Sequence, residues 1–103
     1  MRLLFEHERP LIEHLFKLAA VALPDSLLVQ PMADGGMGSL AIAPIGNGRR
    51  FGSVAAEYQF RDVDGTLVSA ALMLDQQGAP FEVDIWKVDF SPLKRWPIRE
   101  DLA

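Results

Sequence analysis

Beyond Pro24 the chain never again shows the three-and-four apolar spacing of an amphipathic helix, and that removes every fold built on strand–helix–strand crossovers. Period two stands there instead. In Phe51 to Arg61, Val54, Ala56, Tyr58 and Phe60 alternate with Ser53, Ala55, Glu57, Gln59 and Arg61. Thr66 to Leu74 forms a second such run, and Phe81 to Phe90 a third, the most aromatic of the three. Asp64-Gly65 and Asp75 to Gly78 separate them, so turn signals recur at the interval typical of antiparallel strands. Two shorter runs come first. Ser26 to Met32 carries Pro31 and reads as an edge or irregular strand. Ser39 to Ala43 is a short strand closed by a turn over Pro44 to Gly48.

The helical period is confined to the N-terminus. Leu4, Leu11, Ile12, Leu15, Leu18, Ala19 and Ala22 make one apolar stripe, with Glu6, Arg9, Glu13 and Lys17 opposite. Arg9–Glu13 and Glu13–Lys17 are four-residue pairs that add a few tenths of a kcal/mol each, about what surface helical pairs contribute. Pro10 is tolerated only in a first turn, which starts the helix near Glu6 to Glu8, and Pro24-Asp25 ends it. One helix and about five strands with no helix between them is the α+β class: an N-terminal amphipathic helix packed on an antiparallel β-meander. The whole chain, 1–103, is expected to be one domain, with 91–103 an irregular tail fastened by Leu93, Trp96 and Ile98.

Composition narrows the function classes. A net charge of −4 gives nucleic acid no basic stripe to displace counterions from. The longest apolar run, Leu18 to Leu23, is far below the roughly 20 residues of a membrane helix. The first ten residues, "MRLLFEHERP", do not form a signal peptide, and there is no cysteine for a disulfide or a thiolate metal site. A cytoplasmic protein without cofactor is the expectation. Charge is unevenly spread: from Glu57 to Asp89, Glu57, Asp62, Asp64, Asp75, Glu82, Asp84 and Asp89 stand against only Arg61 and Lys87.

"DVDGTLV", positions 62 to 68, matches the nucleophile motif of the haloacid dehalogenase-like phosphatases letter for letter. In that chemistry the first aspartate attacks phosphorus and the second is acid and base, at the end of a buried parallel strand. Here "EYQFR" precedes it and no helical crossover follows, so the stretch reads as a hairpin turn built on Asp-Gly. An EF-hand lacks its flanking helices and terminal glutamate. "DGGMGS", Asp34 to Ser39, leads into "LAIAP" and not into a helix, which favours a tight turn over a phosphate loop. His7 and His14, two turns apart on one helix face, are roughly 10 Å apart and cannot share a metal unaided.

In "FEVDIWKVDF", Glu82, Asp84 and Trp86 share one strand face, the carboxylates about 7 Å apart. With Glu57 outward on a neighbouring strand, three carboxylates can meet on an exposed sheet face. Such a cluster either solvates the sheet, with Lys87 or Arg61 pairing across strands, or binds a cation or works as acid and base. Trp86 among the acids is the binding anchor that distinguishes this face.

The helix "LIEHLF", the loop Asp34-Gly35-Gly36-Met37-Gly38-Ser39-Leu40, the Asp62-x-Asp64-Gly65 hairpin and "EVDIWKVDFSPL" together resemble a family of small bacterial domains of unknown function. The resemblance spans nearly the whole chain, implies a single domain and transfers no catalytic residue. By analogy, small acidic bacterial domains include immunity proteins that neutralise a toxin. The expected function is a non-enzymatic binding domain whose acidic sheet face takes a basic protein partner, the chain being a monomer or weak homodimer. Its candidate residues are Asp34, Gly35, Gly36, Ser39, Glu57, Glu82, Asp84, Trp86, Lys87 and Asp89. The alternatives are an enzyme or cation-binding domain using Asp34, Glu82, Asp84 and Asp89, and a structural or assembly domain.

Overall fold

A computed structural model describes residues 1–102 of the chain. Helix α1 (Arg9–Ala19) is followed by strands β1 (Val29–Pro31), β2 (Leu40–Ile42), β3 (Phe51–Arg61), β4 (Leu67–Asp75) and β5 (Pro80–Lys87). A single 3₁₀ turn, Arg99–Asp101, lies in the tail. All five strands form one antiparallel sheet in the order β1-β2-β5-β4-β3. The chain therefore meanders within β1–β2 and within β3–β4–β5, and the two parts join where β2 pairs with β5.

Helix α1 begins at Arg9, just after the expected start at Glu6 to Glu8, residues that form a turn, and Pro10 lies in its first turn as required. It ends earlier than Pro24 would dictate. Ala20 takes the left-handed conformation (φ 56°), and the Ala20 and Val21 amides bond back to the Lys17 and Phe16 carbonyls. Leaving the helix there lets Val21 and Leu23 fold back onto the core, whereas Leu18, still on the helix, is left half exposed. His7 falls in the turn before the helix and His14 within it, so they do not share a helical face. Arg9 pairs with Glu13 at 3.2 Å, while Glu13 turns its other oxygen to Arg99 in the tail and not to Lys17.

Leu11, Ile12, Leu15 and Phe16 of the helix pack on Ala56 of β3, Val68, Ala70 and Leu72 of β4, and Val83 and Ile85 of β5. Each fully buried side chain of this size stabilises the fold by about 1.5–3 kcal/mol. Among the described residues no helix lies over the opposite sheet face. Register is regular from Ala56 to Arg61, but β3 slips at Phe51/Ser53 and Val54/Ala56, and Val54 is left exposed. In the tail Leu93, Trp96 and Leu102 pack against the core; Ile98 remains exposed and fastens nothing.

Candidate functional site

The register places the uncovered residues in rows. Gln59, Ser69 and Trp86 form one row; Glu57, Ala71 and Asp84 the next; Met73, Glu82 and Ala41 a third. Glu82, Asp84 and Trp86 thus share the open face. Glu57 shares it too, but Ala71 stands between Glu57 and Asp84, which sets them about 10 Å apart, or two strand spacings. The pair that meets is Glu82 and Asp84. Partial burial, and secondly the neighbouring Asp84 charge, hold the Glu82 carboxyl above its ordinary range. Among the described residues no cation pairs with Glu57, Glu82 or Asp84. No group of three or more His, Cys, Asp or Glu is placed to hold a metal ion among them either.

Trp86 is exposed beside this pair, and it has an aromatic neighbour that sequence reading missed. Strand β5 stops at Lys87, and the Phe90 amide bonds back to the Lys87 carbonyl. Phe90 sits at φ 64° with 68% of its surface exposed, its ring 6.1 Å from that of Trp86. A bulky non-glycine residue in the left-handed region is an outlier that costs about 1–2 kcal/mol. The turn is held by Asp89, which accepts bonds from the Ser91 hydroxyl and amide. Those two bonds hold the Asp89 carboxyl below its ordinary range. Asp89, Ser91 and Pro92 are the turn formers that signal it in the sequence, and the alternation read on through Phe90 masks them.

Lys87 occupies the other face. It follows the parity of Val83 and Ile85, is fully buried, and is enclosed by Asp62 at 2.9 Å, Asp64 at 2.7 Å and the Pro92 carbonyl. It is therefore unavailable on the open face. Asp62 also accepts the amides of Val63, Lys94 and Arg95, tying the tail to the β3–β4 turn. Burial alone would raise Asp62, but Lys87 and these amides outweigh it and hold the carboxyl below its usual range. Asp64 is lowered chiefly by Lys87 and then by the Thr66 amide. Burial opposes the Lys87 charge, and the two aspartates reverse that and raise it. The phosphatase-like letters are thus a hairpin closed by Asp62 and Thr66, with Gly65 at φ 81°, and both aspartates are engaged by one lysine.

The Asp34 to Ser39 loop is closed on itself. Asp34 accepts the Ser39 amide at 2.8 Å, and although partial burial alone would raise this carboxyl, that bond, the Ser39 hydroxyl and the Gly38 and Met37 amides lower it. Ser39 is buried; its hydroxyl accepts the Ile85 amide and reaches Asp84 at 3.3 Å. Gly36 lies against Pro92, and a Cβ on Gly38 would stand 2.9 Å from the Trp96 ring, so this loop is the seam between β5 and the tail. Asp34, Gly35 and Gly36 are consequently separate from the Glu82–Trp86 face, and Ser39 alone touches it.

A cleft of about 590 Å³ lies at the other end of the sheet, between Val21, Leu27, Ile42, Pro44 and Pro80. Arg49, its one cation, is spent on Asp75 and on the carbonyls of Ile42, Pro44 and Pro80.

The model of a family described as Domain of unknown function (DUF6984) matches residues 1–97. No curated protein and no solved structure matches the chain.

Proposed function

We propose that this chain, which belongs to the DUF6984 family of domains of unknown function, is a non-enzymatic binding module whose uncovered sheet face takes a basic segment of a protein partner. The observation that carries the reading is the exposed Trp86–Phe90 pair beside Glu82 and Asp84, two carboxylates that no cation among the described residues neutralises. Aromatic faces take the guanidinium of an arginine by cation–π contact, and adjacent carboxylates take its charge. The same carboxylates, one of them partly desolvated, are relieved of mutual repulsion when a cation arrives. The Asp89–Ser91 bonds and the bond from the Phe90 amide to the Lys87 carbonyl hold the second ring on the surface against the backbone strain there.

The test is a titration of the labelled protein with an arginine-rich peptide and a glutamate-rich peptide of the same length. Amide shifts confined to residues 82–90, with the Trp86 indole, are expected for the basic peptide alone and are expected to weaken with salt. Glu82→Lys with Asp84→Lys should abolish them. Shifts that survive this double reversal would refute the reading.

A further inference from the structure

The outer edge of β3 is unpaired. Asp62 bonds to Thr66 across the hairpin, and the Leu67 carbonyl accepts the Val88 amide on the β5 side. Alternation along the regular register from Ala56 to Arg61 then turns the main-chain groups of Tyr58 and Phe60 toward β4, and those of Glu57, Gln59 and Arg61 outward. Among the described residues, no main-chain or side-chain group bonds to these outward amides and carbonyls. Natural sheets protect such an edge with charged side chains, proline, bulges or a covering loop, and here the tail meets the strand on its helix side, where the Tyr58 hydroxyl donates to the Asp101 carbonyl. Here the bulges lie nearer the N-terminal end of the strand, no proline occurs between Phe51 and Arg61, and the two charges are of opposite sign.

We propose that this edge pairs with the same edge of a second copy of the chain, antiparallel and centred on Gln59. In that register Glu57 stands opposite Arg61 of the second copy, and Arg61 opposite its Glu57, all on the open face. The outward groups of residues 57, 59 and 61 then meet their counterparts in bonded pairs. On the helix side Tyr58 meets Phe60 of the second copy. There a cleft of about 380 Å³ between the edge and the tail, lined by Tyr58, Phe60, Trp96 and Asp101, leaves room for those rings. Sliding the register so that Glu57 faces Glu57, or Arg61 faces Arg61, puts like charges together, and parallel pairing sets each charge beside its own kind. Centring on Tyr58 or Phe60 leaves both charges opposite neutral residues, so the register centred on Gln59 is the one that sets Glu57 against Arg61 in both directions. The two-fold axis stands perpendicular to the sheet, so the uncovered faces of both copies lie on the same side of one continuous sheet.

The chain has no cysteine, so a single introduced thiol reports unambiguously. At the two-fold centre, bonded partners have Cα atoms about 5.5 Å apart, within disulfide reach. Gln59→Cys is expected to give a disulfide-linked pair under mild oxidation far faster than Gln77→Cys, an exposed turn position on the other side of the molecule. Adding Arg61→Glu should slow that cross-linking roughly tenfold, and the exchange Glu57→Arg with Arg61→Glu should restore it. Each variant's amide spectrum reports whether it is folded. In the unmodified chain, the mass from light scattering should rise with concentration above the 11.4 kDa of one copy. A mass fixed at one copy, or Gln59→Cys cross-linking no faster than Gln77→Cys, overturns the proposal; so does an edge that accepts an added foreign strand while the chain remains single.

Discussion

Lys87 is enclosed by Asp62 and Asp64, so a basic side chain is held in the interior only while both carboxylates remain ionised. Their folded values lie below the unfolded ones, so this stability is present above about pH 4 and is lost as pH falls through the folded values. Lys87 is raised, so its share is present below about pH 10.4 and is lost as pH rises through its folded value. Urea midpoints measured against pH should show a plateau falling away on both sides. Lys87→Met should be markedly less stable at neutral pH, because Asp62 keeps its burial without its cation. Its deficit against the unmodified chain should narrow below about pH 4, where Asp62 takes up a proton. A deficit independent of pH would mean that the lysine acts through packing alone. Part of this was legible: Lys87 falls in step with Val83 and Ile85, and that parity puts it on the buried face. Its partners were not, because Asp62 and Asp64 lie more than twenty positions away in a turn, and only the folded hairpin brings them to the end of β5.

The elements were read well where one physical signal acts alone. Alternation gives β3 the bounds it has, and Pro10 gives α1 its start. The end of α1 depends on a competition between continuing the helix and burying Val21 and Leu23, and local spacing does not weigh that. Phe16, absent from the apolar stripe as spaced from Leu4, is in fact buried at the centre, whereas Leu18 in that stripe is half exposed. Phe16→Ala should therefore cost about 3–5 kcal/mol in chemical denaturation, while Leu18→Ala should stay within about 0.5 kcal/mol. Comparable losses for the two would contradict this packing of the helix. The acidic, tryptophan-bearing strand was visible as a pattern, but the turn that raises Phe90 beside Trp86 was masked by the alternation read on through it. It rests on a left-handed phenylalanine that no local rule favours.

At the scale of the molecule, the class of fold followed from the missing crossovers, yet strand order did not. Pairing β2 with β5 joins segments some forty positions apart, and which edges meet is decided by burial of the whole core. The tail belongs to that core. It supplies Leu93, Trp96 and Leu102 and the Lys94 and Arg95 amides that Asp62 requires. A chain stopped at Ser91 should lose cooperative melting by circular dichroism; a melting curve unchanged by the cut would show that the tail only decorates the domain.

The last strand in the chain lies in the middle of the sheet. During synthesis, therefore, β1 and β2 on one side and β3 and β4 on the other emerge with nothing to join them, each with an open edge that only β5 can close. Assembly has to wait until β5 has emerged, so throughout the synthesis of β1 to β4 the nascent chain keeps its apolar strands uncovered, in the stage when chaperones bind.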